Sequence, residues 1–179
     1  MTMGPPLRKL VLTVHVTCSV GWLGAVAGFL VLAVTGLTSQ DAQMVRAAYL
    51  ATELTASAVI VPLCFAALLS GLVQSLGTRW GLFRHYWVFF KLLITVFATI
   101  ILLVHMQPIS YVAGVAADGA LASGDLQRLR IQLVADAGAA LVALLVTTTL
   151  AVYKPRGLTP YGQRKLRQQR RARLLHSHQ

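Results

Sequence analysis

Acidic residues are scarce in this chain, with five Asp and Glu among 179 residues, and charged residues of both signs reach 12%. That is about half the roughly 25% of an ordinary soluble domain. So few charges cannot wet a surface on all sides when 56% of the residues are hydrophobic, which excludes a water-soluble globule and intrinsic disorder alike. Cysteine is almost absent: Cys18 and Cys64 each fall inside an apolar run, where a thiol behaves as a small hydrophobe. A disulfide scaffold and a zinc-ligand spacing are therefore excluded. No G-x-S-x-G, Walker loop, H-E-x-x-H or C-x-x-C occurs, so no common catalytic motif points to an enzyme.

Long apolar runs are what the chain has instead, with a mean hydropathy of +0.69. The first runs from about Leu10 to Gly36, close behind Arg8 and Lys9, and at 1.5 Å per residue reaches about 40 Å, enough to cross a bilayer with tilt. A cleaved signal peptide is the rival reading, with Ala25, Val26 and Ala27 as an A-x-A-like site. The apolar run continues past that triplet through Leu32, which favours a retained span. The second runs from about Ala47 to Leu76 and should kink at Pro62. The third spans Tyr86 to Met106, the fourth Ile131 to Tyr153. Between them, Gln107 to Arg130 reads as a connection whose Ala113 to Leu129 portion forms a short surface helix. The expected fold is all-α, a four-helix transmembrane bundle with antiparallel neighbours, made of a membrane domain over 1–153 and a basic tail over 154–179.

The basic residues set the orientation. With the amino terminus inside, thirteen Lys and Arg fall on the inner side, eight of them between Lys154 and Arg173, against three on the outer side, Arg46, Arg128 and Arg130. This bias predicts the cytoplasmic membrane with both termini cytoplasmic. All five acidic residues, Asp41, Glu53, Asp118, Asp125 and Asp136, then lie on the outer side or in the outer half. The tail reads as a solvated topogenic run, with adsorption to anionic lipid as the functional alternative; with little aromatic interleaving beyond Tyr161, nucleic acid is not an expected partner. Trp80, Phe83, Tyr86 and Trp87, beside Arg79, Arg84 and Lys91, read as an interfacial anchor, with Lys91 snorkelling to the headgroups.

Ionisable groups inside spans are expensive, at least about 2.5 kcal/mol for a charge at the centre, and so mark candidate sites. By depth they form two groups. His15, with Cys18, Ser19 and Trp22 on its helix face, pairs with His85 as a candidate haem or metal site, the cofactor being haem b or a copper-type ion. Glu53, His105 and Asp136, with Met106 nearby, pair in the other leaflet as a candidate metal site or proton relay. The alternative for the first group is a hydrogen bond from His15 to Ser or Thr of a neighbouring helix with His85 at the interface, and for the second a Glu53 that bonds Thr52, Thr55 or Ser57 locally and reaches toward water. Gly24 and Gly28 form a G-x-x-x-G spacing beside Gly21 and Ala25, and Ala135, Ala139 and Ala143 repeat on the fourth span; such surfaces pack helices or a homodimer.

The order RKLVLTVHVTCSVGWLGAVAGF, then a helix with Pro62, then WGLFRHYWVFFKLLITVFATIILLVHM resembles a family of uncharacterised bacterial four-span membrane proteins common in actinobacteria. The resemblance covers about residues 8 to 153, and its most specific parts are His15 with Trp22-Leu23-Gly24 and the Trp80 to Lys91 segment. The early His followed by a W-x-G step is also distantly similar to copper-resistance membrane proteins of the CopD kind, although further Met- and His-rich segments are lacking. The first resemblance implies topology without an assigned activity; the second implies copper handling. Two function classes follow: a haem- or metal-binding protein or transport component, and a non-catalytic scaffold or partner subunit whose tail meets lipid or protein.

Overall fold

The computed structural model describes residues 3–77, 86–119 and 124–153, together with 157, 159, 160, 162–164, 167 and 168. Helix α1 covers Pro5–Thr38 and opens on two prolines, whose missing amides fall where a helix has no acceptors to offer. Helix α2, Ala42–Thr55, is capped by the Asp41 carboxylate, which accepts from the Gln43 amide at 2.9 Å. It passes through a single π turn, Ala56–Ile60, directly into α3, Val61–Gly77. Helices α4, Tyr86–Ala117, and α5, Gly124–Tyr153, complete the described secondary structure, which is entirely helical.

Four helical stretches are long and apolar enough to cross a membrane: Pro5–Thr38, Ala42–Gly77, Tyr86–Ala117 and Leu126–Tyr153. The protein thus has the build of a multi-pass membrane protein. Leu10, Val20, Val31, Leu69, Phe97 and Val104 lie on its outer face more than half exposed, as lipid-facing side chains are. The 34 residues of α1 measure about 51 Å against a hydrocarbon core of about 30 Å, so its ends project or the helix tilts.

Two corrections to the sequence reading follow. Helix α4 does not stop at Met106 but continues through Pro108 to Ala117, and Ile109, Val112, Ala113 and Ala116 are buried. The expected surface helix over Ala113 to Leu129 is therefore absent; its first residues end α4 and its last begin α5. Gly119, with φ +75°, supplies the left-handed residue at which α4 stops. The bend at Pro62 takes the form of the π turn. The Val61 amide reaches back five residues to the Ala56 carbonyl, and this widening relieves the clash a proline ring makes with the carbonyl four residues earlier.

The helices pack around one axis through seams spaced alternately three and four residues apart, the pattern of knobs-into-holes bundles. On α1 the buried seam is Trp22, Val26, Phe29, Ala33 and Gly36. Neighbours in space are α1 with the α2–α3 span and with α5, and α4 with those same two. Consecutive spans thus lie side by side, while α1 and α4 face each other diagonally. The Met3 amide donates to the Gly77 carbonyl, and the Tyr86 amide donates to Gly157. Met3 and Gly157 therefore lie at one end of the bundle, near Arg8, the basic end; Asp41, Asp118 and Asp136 lie toward the other, the acidic end.

Candidate functional site

Extended toward the basic end, the α1 seam continues in the same three-four rhythm through Ser19, His15, Leu12 and Arg8. The other helices do likewise, with Ala67, Gly71 and Gln74 on α3, Val88, Lys91 and Thr95 on α4, and Leu144, Thr147 and Ala151 on α5. These seam positions line a cavity of about 620 Å³ along the bundle axis, within the range of small-ligand sites, about 300–1,000 Å³. Large apolar side chains close the seam from Trp22 onward, whereas small and polar ones leave it open between Trp22 and Arg8. A buried layer, in which the Cys64 thiol and the Thr99 hydroxyl lie 3.1 Å apart, sits beside the closed part.

His15 and Lys91 meet inside this cavity, across the diagonal between α1 and α4. His15 Nδ1 lies 3.0 Å from the Ala67 carbonyl oxygen and 3.2 Å from Ser70 Oγ. Ser70 Oγ itself donates to the Ala66 carbonyl at 2.5 Å. A carbonyl only accepts, so Nδ1 carries the proton and Nε2 presents its lone pair. Lys91 Nζ stands 3.3 Å from Nε2 and donates one of its three hydrogens there. Gly71 makes room for the ring, since a Cβ at that position would come within 2.9 Å of His15 Cε1.

Lys91 thus turns inward rather than snorkelling to the headgroups. Its place on the axial face, with Trp87, Val88 and Thr95, fixes this direction. Among the described residues no Asp or Glu lines the cavity, so none of them gives the ammonium a carboxylate counter-charge there. Lys91 occupies the Nε2 side of the His15 ring, the position from which that nitrogen would coordinate a haem iron or a metal ion. His85, the expected partner of His15, lies outside the described residues.

At the acidic end, His105 Nε2 and Asp136 Oδ2 are 2.8 Å apart. His105 Nδ1 also lies 2.8 Å from the Ile101 carbonyl, so that nitrogen donates, and Gln132 Nε2 approaches His105 Nε2 at 3.0 Å. Asp136 Oδ2 is buried and has no well-directed hydrogen bond; its short distance to the ring nitrogen describes an ion pair or a shared proton with poor angular geometry. The structure brings together two of the three expected metal-site residues. Among the described residues no group of three or more His, Cys, Asp or Glu side chains stands close enough to hold a metal, so Glu53 does not complete a set.

A third polar group ties the bundle together at the same end. Arg130 Nε donates to Tyr49 Oη at 2.8 Å, and one terminal nitrogen donates to the Gly36 carbonyl at 2.5 Å. The guanidinium also lies 5.6 Å from the Tyr49 ring centre. An arginine here supplies a donor and a positive charge to the carboxyl end of α1, where carbonyls lack partners. Tyr49 is fully buried under Gly36, where a Cβ would come within 2.7 Å of the ring.

Gly24 and Gly28 have nothing within 4 Å of where a Cβ would stand, so their spacing brings no helix of this chain close. Gly21 is different, approaching Leu63 at 3.3 Å. Depth along the sequence pairs His15 with the start of the third span; among the described residues there Lys91 meets it, facing inward and not the lipid headgroups. The signal for Lys91 was its seam spacing to Thr95. Comparison with family models, with characterised proteins and with solved structures gives no match.

Proposed function

We propose that this multi-pass membrane protein binds an anion in its axial cavity, as a transport component or receptor does in its first step, with Lys91 as the charge the ligand meets. The observation that carries this reading is the inward Lys91 ammonium, held by His15 in a cavity without a carboxylate. A cation in a low-dielectric interior is stabilised by an opposite charge, and among the described residues no Asp or Glu lines the cavity. A bound anion is the remaining source of that charge. The count of basic residues on the two sides supports an orientation with the basic end at the cytoplasmic face, so the ligand enters from that side. The haem and metal readings have less support, because the ring nitrogens of His15 are engaged and the acidic-end pair supplies two donors where a structural zinc site needs about four. The scaffold reading leaves the cavity and its inward charge without a purpose.

Calorimetric titration of the full chain in zwitterionic nanodiscs tests this. A panel of chloride, phosphate, acetate and decanoate is expected to contain at least one ligand whose saturable heat vanishes in Lys91→Met and persists in Lys91→Arg. Equal heats in wild type and Lys91→Met across the panel would overturn it.

A further inference from the structure

The anion reading leaves open what kind of anion, and the walls of the cavity bear on that. We infer that the ligand is a monoanionic amphiphile, a carboxylate attached to an apolar chain, with the carboxylate at Lys91 and the chain along the aliphatic walls; this rests on the anion reading above. Three observations combine. First, the charge at the site is single: Lys91 contributes one positive charge, and His15, donating through Nδ1 and accepting through Nε2, contributes none. Arg8 stands exposed at the mouth, where water screens it. One half-buried positive charge matches a monoanion and leaves a dianion such as a phosphate monoester with uncompensated charge.

Second, four of the cavity's hydroxyls cannot donate into it, so that beside Lys91 the donors left on the lining include the Ser19 hydroxyl, the Gln74 amide, the Trp22 indole and, at the mouth, Arg8. The Thr95 hydroxyl donates to the Lys91 carbonyl at 2.8 Å, Thr147 and Thr148 donate to Leu144 at 2.9 and 2.8 Å, and Ser75 donates to Leu72 at 2.8 Å. Each of these hydroxyls has spent its hydrogen on its own helix and offers the cavity only lone pairs. A small inorganic anion stripped of water needs a shell of donors, and a buried polar group left unsatisfied costs about 1–3 kcal/mol. Two carboxylate oxygens ask for less, and the two remaining Lys91 hydrogens face that demand.

Third, the cavity is long and mostly aliphatic. Arg8 and Trp22 are each seven residues from His15, so the α1 wall extends about 10 Å to either side of the charged layer. Leu12, Val16, Leu68, Val88, Leu92 and Leu144 clad it. Burial of a chain there returns about 0.8 kcal/mol per methylene when the chain comes from water. A ligand with one charged end and an apolar body uses all three features.

Quenching of cavity tryptophans tests the inference, since Trp22 and Trp87 both line the site. The full chain in phosphatidylcholine nanodiscs is titrated with 10-bromodecanoate and with 10-bromodecanol, then competed with decanoate, acetate and inorganic phosphate. Bromodecanoate is expected to quench saturably, and Lys91→Met to weaken its apparent affinity at least about tenfold. Bromodecanol should show the same non-saturating partition in both proteins, and acetate and phosphate should compete only at concentrations about a hundredfold higher. Gly71→Ala, which displaces His15 while keeping the charge, should weaken bromodecanoate binding and leave bromodecanol unchanged. Phosphate or acetate displacing the probe as well as decanoate does would overturn the amphiphile and leave the anion reading standing. Bromodecanoate and bromodecanol behaving alike in both proteins would overturn the two together.

Discussion

Lys91 owes its inward position to an absent methyl group. Gly71 lets the His15 ring lie against α3 with Nδ1 on the Ala67 carbonyl, and that hydrogen bond aims Nε2 at the ammonium across the axis. The same economy operates at the acidic end, where Gly36 receives the Tyr49 ring and Arg130 ties both to α5. Arg130→Ala removes the charge-assisted hydrogen bonds to Tyr49 and the Gly36 carbonyl, with longer ones to Gln127 and the Leu37 carbonyl, and should lower stability by about 2–3 kcal/mol, whereas Tyr49→Phe, which keeps the ring, should cost about 1 kcal/mol. Denaturation in mixed detergent micelles reads both, and a larger loss for Tyr49→Phe than for Arg130→Ala would contradict the assignment. His15, His105 and Asp136 stood out in the sequence because ionisable groups are rare in apolar runs. Their partners did not, because Ala67, Ile101 and Gly36 act through backbone carbonyls, which leave no mark in residue type, and Lys91 resembled an interfacial lysine.

Among the elements, the four apolar stretches were legible from hydropathy alone, while their ends and irregularities were not. Gln107-Pro108 reads as a stop because proline restricts the residue before it and removes a donor. In the structure, burial of Ile109, Val112 and Ala116 outweighs that local preference and carries α4 onward. The π turn at Ala56–Ile60 places one extra residue in the span compared with a regular helix, and Pro62 explains why the turn sits there. Deleting the exposed Val59 together with Pro62→Ala should restore a regular helix, keep both flanking seams in register and preserve folding. Deleting Val59 alone puts Pro62 against a helical carbonyl and should cost about 3 kcal/mol. Equal stability of the two variants, measured by thermal unfolding in detergent, would show that the proline does not set the turn.

For the molecule as a whole, charge asymmetry and seam chemistry run along the same axis. The α1 seam passes from Arg8, His15 and Ser19 at the basic end to Val26, Phe29 and Ala33 toward the acidic end, and the cavity lies where the seam is polar. Most of the tail over 154–179 lies outside the described residues. Its eight basic residues predict that a synthetic tail peptide binds anionic vesicles, at about 1 kcal/mol per residue near the surface, and releases as salt rises; indifference to lipid charge would oppose this. The contact between His15 and Lys91 is central to the binding of an anion, and ¹⁵N magnetic resonance of histidine-labelled protein in bilayers observes it directly. It should show His15 protonated at Nδ1, with an Nε2 acceptor signal that shifts on adding decanoate and loses its hydrogen-bonded character in Lys91→Met. A His15 protonated at Nε2, or an Nε2 signal indifferent to both decanoate and the substitution, would contradict it.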